Sequence, residues 1–179
     1  FGIDNETHVI CYDTNAGAMA AMRVWWTFRI FGHKKVSVLN GGLSKWKKEN
    51  APLENDFKKK KYHNYNAKFN INLVKNFDDI LANIETQDFQ LVDARSNGRF
   101  RGVEDEPRPD VRRGHIPGSV NLPFTQLFAP DNLMQIRNAE DLMTIIDKAG
   151  VDTNKPITST CGSGVTAAPL VFALYLLGY

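Results

Sequence analysis

Two strongly apolar helical patterns stand out along the chain, and each follows a short β-prone run. Arg23-Val-Trp-Trp-Thr-Phe-Arg-Ile-Phe-Gly32 and Pro169-Leu-Val-Phe-Ala-Leu-Tyr-Leu-Leu-Gly178 are apolar round most of their circumference. That pattern predicts helices buried against a sheet, each closed by a C-terminal glycine. Before them, His8-Val-Ile-Cys-Tyr-Asp13 and Pro156-Ile-Thr-Ser-Thr-Cys161 read as strand followed by loop. The two strand–loop–helix units align, so the chain carries an internal repeat. The first copy continues through a short buried strand, Val36 to Leu39, then Gly41-Gly42 and a helix from Leu43 to Glu49. The second copy has only Tyr179 after Gly178, but a long lead-in before its cysteine. A final strand, turn and helix are therefore expected beyond the second copy, and a comparable lead-in before the first.

Between the copies, residues 55–71 read as a polar linker, with four consecutive lysines (Lys58 to Lys61) that repel one another into solvent. A helix is predicted from Asn76 to Ile84. Phe89-Gln-Leu-Val-Asp93 is an apolar run ending in an acid, as a buried parallel strand would read. Ala94 to Arg113 has little apolar periodicity and six arginines, and is expected to be a loop. The glycines and proline of Gly114-His-Ile-Pro-Gly118 punctuate a turn. Strands alternating with helices make this an α/β chain with mainly parallel sheets. Residues 1–54 form part of a first domain, and residues 72–179 a second.

Composition narrows the classes. A content of 42% hydrophobic and 23% charged residues suits a globular protein, and no apolar run approaches the roughly 20 residues that cross a bilayer. A net charge of +2 gives no footing for a nucleic-acid partner. Cys11 and Cys161 are too few for a disulfide framework and suit a reducing compartment; both cytoplasm and mitochondrion fit. There is no His/Cys cluster with metal spacing and no phosphate loop with a following lysine, so no cofactor is expected.

The candidate chemistry lies at Cys161-Gly-Ser-Gly-Val-Thr166. A thiol at a strand's end, wrapped by a glycine-rich loop that opens a helix, has backbone N–H groups turned towards its sulfur. Such a setting favours the thiolate, which is the nucleophilic form. Ligand-binding residues of parallel α/β folds sit at the carboxyl ends of strands. The arginine-rich loop after Asp93 and the loop at Cys161 can therefore share one crevice.

Cys161 to Thr166 resembles the active-site loop of the rhodanese superfamily, tandem-domain type. Leu91-Val-Asp-Ala-Arg95, Gly98-Arg-Phe-Arg-Gly102, Gly114 to Pro123, Val24-Trp-Trp26 and Gly41 to Trp46 are similar to that family in the same order. The resemblance implies two rhodanese-like domains, each a mainly parallel sheet flanked by helices and each incomplete in this chain. The first copy would be non-catalytic, because Asp13 stands where the second has its nucleophile, and a carboxylate cannot carry sulfur. Thiosulfate-preferring relatives usually carry two basic residues after the cysteine, where this chain has Gly162 and Ser163. The loop therefore resembles that of the branch using 3-mercaptopyruvate.

That resemblance implies sulfur transfer through a persulfide on Cys161. Gly162, Gly164, Val165 and Thr166 would line the cradle, and Ser163 would relay a proton. Arg99 and Arg108 match the family's pair that holds the substrate carboxylate and keto group, which suits a planar guanidinium fork. The acceptor would be thioredoxin, another thiol or cyanide. Asp93 and Arg95 match a structural strand-end pair, and His115 a packing residue. The family's first-domain Asp and His for proton handling match no position from Phe1 onwards.

Three rival readings each meet an obstacle in the sequence. A cysteine phosphatase needs an arginine about six residues after the cysteine, where Ala167 stands. A non-catalytic rhodanese-like module would have little use for the cysteine and its specificity residues together. Thioredoxin-type chemistry needs a Cys-x-x-Cys motif, absent here.

Overall fold

Short strands joined through helices build two parallel sheets in the computed structural model, which describes residues 2–14, 19–56, 60–130 and 132–179. The first unit runs β1 (Val9–Cys11), α1 (Met19–Ile30), β2 (Val36–Val38) and α2 (Gly42–Lys48). β1 and β2 pair in parallel, with α1 as the crossover between them. Lys58 and Lys59 of the predicted linker run lie outside the described residues, whereas Lys60 and Lys61 are exposed.

The second unit opens with α3 (Phe77–Thr86), which starts one residue later than its sequence pattern predicts because Asn76 is the cap rather than the first helical residue. Asn76 accepts from the Asp79 amide, and Asp79 accepts from the Asn76 amide in return. Such a reciprocal cap is worth about 1 kcal/mol. β3 (Gln90–Asp93), α4 (Asn97–Phe100), β4 (Val120–Asn121), β5 (Phe128–Ala129), β6 (Asn132–Ile136), α5 (Ala139–Lys148), β7 (Ile157–Thr160) and α6 (Ala167–Leu176) follow. β4, β3 and β7 form a parallel sheet with β3 at its centre, and β5 and β6 form an antiparallel pair. The stretch expected to be all loop after Ala94 contains the one-turn helix α4. It forms because Ser96 accepts from the Arg99 amide and satisfies one of the first orphan donors.

α1 and α6 join the two units. Trp25 is 2% exposed; its ring lies edge-on to Phe172 at 4.9 Å and tilted against Tyr175 at 5.0 Å. Burial of a side chain this large is worth about 2–3 kcal/mol. Phe100 stacks on His115 at 3.9 Å, while Phe124 meets Phe128 edge-on. His115 also bonds the Phe100 carbonyl through Nδ1 at 2.8 Å, a packing and hydrogen-bonding role.

The register of β3 against β7 positions the site. Asp93 lies opposite Thr160, and the Ala94 amide donates to the Thr160 carbonyl at 2.9 Å. Both strands therefore end at the same level, and the loops that leave them lie side by side, with Arg99 against Gly162.

Candidate active site

Cys161 follows the last residue of β7, and six residues later α6 begins at Ala167. Pro169 sits in the first turn of α6, where its missing N–H removes no helical bond. The intervening turn brings main-chain donors back onto the thiol. The Ser163 amide donates to Cys161 Sγ at 3.4 Å, and the Gly164 amide at 3.0 Å. Gly164 reaches this position with φ +80°, a left-handed conformation that side chains other than glycine resist.

Opposing forces act on the thiol. Burial pushes it up, but hydrogen bonds from the Thr166 side chain and from the amides of Ser163, Ala167 and Gly164 outweigh burial and hold it below the ordinary thiol value. Cys11, by contrast, is buried without such donors, and burial alone pushes its thiol up. The two thiols are shifted in opposite directions, Cys161 down by its donors and Cys11 up by burial. In the first unit Asp13 occupies the equivalent place, and its Oδ2 accepts from the Ala21 amide of α1 at 3.1 Å. A carboxylate there caps a helix.

Across the crevice, charges alternate along Asp93, Arg95, Glu106 and Arg99. Arg95 bonds Asp93 at 2.6 Å and Glu106 at 2.8 Å. Glu106 in turn takes Arg99 in a two-point contact, at 2.5 Å and 3.3 Å. The loop folds back to make this possible: Val103 and Glu104 donate to the Gly98 carbonyl, and Ser96 Oγ donates to Glu104. The result aims Arg99 at the cysteine loop, its Nη2 lying 3.1 Å from where a Cβ on Gly162 would sit.

A rhodanese-like domain model matches residues 1–49 and 76–179, which takes in the repeat, the crevice and the cysteine loop. The chain belongs to the rhodanese-like family. It is 42% identical over 178 residues to human 3-mercaptopyruvate sulfurtransferase and 41% identical over 179 residues to bovine thiosulfate sulfurtransferase. The match covers 99% of this chain but only 59% and 60% of those relatives. The crystal structure of SseA from Escherichia coli, described as a 3-mercaptopyruvate sulfotransferase, superposes with a TM-score of 0.85 at 37% identity, over 99% of this chain and 64% of that one. The rhodanese fold, with parallel sheets flanked by helices, is thus the fold of this chain.

Most sequence-predicted site residues of this rhodanese-like loop come together. Gly162, Ser163, Gly164, Val165 and Thr166 wrap Cys161, and Arg99 borders Gly162. The amides that donate to the sulfur are those of Ser163 and Gly164, rather than every amide from Gly162 to Thr166. Ser163 is exposed at the mouth of the loop. Arg108 is exposed on the segment after Glu106, and among the described residues it makes no hydrogen bond or ion pair.

Two residues escaped the sequence reading. Glu106 ends the acidic run Glu104-Asp105-Glu106, which reads as surface, yet its side chain is 5% exposed. Arg23 of α1 reaches the Gly164 carbonyl from 141 residues away. For Glu106, the hydrogen bond from Arg99 and the two nearby guanidiniums outweigh burial and hold the carboxyl below its usual range. A depressed folded-state value means this stabilisation is present above about pH 4 and lost as pH falls through that lower value. Glu106→Gln should leave two guanidiniums facing an uncharged partner. We expect a loss of about 2 kcal/mol in denaturant unfolding at neutral pH, shrinking in acid.

Proposed function

We propose that this protein transfers sulfur from 3-mercaptopyruvate through a persulfide on Cys161. The observation that carries the reading is a thiol held by the Ser163 and Gly164 amides, with Arg99 bordering the same loop. The Cys161 thiolate attacks the thiol sulfur of the substrate, forming an S–S bond. The substrate C–S bond breaks and its electron pair leaves with the carbon as the enolate of pyruvate. That enolate takes up a proton, with Ser163 as a relay, and pyruvate departs. The outer sulfur of Cys161 then passes to a thiol acceptor such as thioredoxin, or to cyanide, and the thiolate returns. Amides around the sulfur stabilise the anion in both the free and the loaded state.

Specificity follows from where positive charge sits. Thiosulfate is a compact dianion that needs fixed charge beside the sulfur, and Gly162 and Ser163 supply none from their side chains. Mercaptopyruvate carries its charge at the end remote from the thiol, where Arg99, and Arg108 from its exposed segment, would take the carboxylate and keto group. Within the tandem organisation, residues 1–54 and 72–179 belong to successive rhodanese-like domains, the second being catalytic.

Initial rates of the full-length protein with each donor test the assignment. Mercaptopyruvate should exceed thiosulfate by about 100-fold in kcat/KM, the worth of roughly 3 kcal/mol of guanidinium recognition. Equal or faster thiosulfate turnover contradicts it. Arg99→Lys replaces the fork by a point charge and should raise KM for mercaptopyruvate about tenfold, with a smaller change in kcat.

A further inference from the structure

Of the guanidiniums that border the cysteine loop, one comes from the other half of the chain. Arg23 lies on the first turns of α1, half-buried, with its guanidinium carbon 4.3 Å from the ring centroid of Trp26. Its Nη1 reaches the Gly164 carbonyl at 3.4 Å, and lies 2.7 Å from where a Cβ on Gly164 would be built. The same residue, Gly164, supplies the shorter of the two amide contacts to the sulfur. The peptides on either side of its α-carbon thus face two ways: the amide towards Cys161, the carbonyl towards Arg23.

Arg23 differs from Arg95 and Arg99 in charge balance. Those two are neutralised by Asp93 and Glu106, whereas among the described residues Arg23 pairs with no carboxylate. Its positive charge is offset only by a ring face and a carbonyl. The charged groups on the elements packed around the loop are Arg23 from α1, and Asp93, Arg95, Arg99 and Glu106 from β3 and the segment after it. Of these, Arg23 alone combines direct contact with the sulfur-bonding peptide and a net positive charge.

We propose that Arg23 is a positioning residue for the Cys161 nucleophile, clamping Gly164 so that its amide stays aimed at the sulfur and favouring the anionic sulfur by its unbalanced charge. The sulfur cradle is then composite, assembled only when α1 of the first unit packs against α6 of the second. The inference rests on the thiolate chemistry proposed for Cys161, although its test needs no sulfur donor.

The test is the pH dependence of Cys161 carboxamidomethylation by iodoacetamide in the full-length protein, with the site assigned by peptide mass so that Cys11 does not contribute. Arg23→Met keeps a stem to pack on Trp26 but removes donor and charge; Arg23→Gln keeps a donor without charge. Both should raise the midpoint, by about 0.5 to 1 pH unit for Met and less for Gln. Arg23→Lys should recover at least half of that shift. Arg29→Met is the packing control, since Arg29 lies 4.8 Å over the Tyr175 ring at the same helix interface without touching the loop. It should leave the midpoint in place. An unmoved midpoint in Arg23→Met, or an equal shift in Arg29→Met, overturns the proposal, as does failure of both neutral variants to fold. A protein that ignores mercaptopyruvate can still show the Arg23 shift, and the reverse, so the two readings fail separately.

Discussion

Cys161→Ser is expected to lower sulfur transfer by at least about a thousandfold while leaving the fold intact. The replacement is close to isosteric, and the Ser163 and Gly164 amides that serve the sulfur can serve an oxygen equally well. Stability should therefore change by less than about 1 kcal/mol. Chemistry is another matter. A serine hydroxyl is not ionised near neutral pH even among several donors, and an oxygen cannot hold a transferable sulfur as a disulfide-like S–S bond. The variant should bind substrate with a near-normal affinity and fail to release pyruvate. Steady-state turnover together with equilibrium binding checks both halves. Retained turnover would move the nucleophile elsewhere, and Cys11 is poorly suited, being 6% exposed with its thiol pushed up by burial.

Gly164→Ala should have the second largest effect. The backbone there stands at φ +80°, where an L side chain costs about 1–2 kcal/mol. The added Cβ would also meet Arg23 Nη1 at 2.7 Å. Arginine is flexible at that end, so the clash can be relieved by swinging the guanidinium away, but relief breaks the contact to the Gly164 carbonyl. Turning the peptide instead withdraws the amide that lies 3.0 Å from the sulfur. Either escape degrades the cradle. We expect about a 100-fold loss of kcat/KM, comparable to removing one main-chain donor of an anion hole. A loss of about 1–2 kcal/mol in unfolding free energy should accompany it. Activity within a few-fold of the parent would show that the loop tolerates a rotated peptide and that the amide contact matters little.

The cysteine loop was legible because its signals are local. A β-prone run, glycines at alternate positions and an apolar helix pattern within about twenty residues specify the turn without distant help. That the loops after Asp93 and at Cys161 share one end of a parallel sheet was legible from the apolar run at Phe89–Asp93 and the β-prone run before Cys161; the direct pairing of β3 with β7 came from the structure. The end of α2 and the start of α3 shifted by a residue because Glu49 and Asn76 are caps, half inside the helices they bound. Glu106 was not legible. Its burial depends on the 96–104 segment folding back on itself, and a sequence of Glu104-Asp105-Glu106 does not say which acid turns inward. Arg23 was hidden for a different reason. Its contact spans 141 residues and exists only through the packing of α1 on α6. An arginine in the mostly apolar pattern of α1, at the place where the second copy has Pro169, was the available sign. The β5–β6 hairpin also went unread, since neither strand alternates over enough residues to stand out from the loops beside it.

The central claim is that Cys161 receives and holds a sulfur atom. The most direct measurement is the mass of the Cys161 peptide, taken from the full-length protein after brief exposure to 3-mercaptopyruvate and blocking of free thiols. The account predicts that this peptide gains one sulfur atom and that a later incubation with a thiol or cyanide removes it. A Cys161 peptide that stays unmodified while pyruvate accumulates would contradict it.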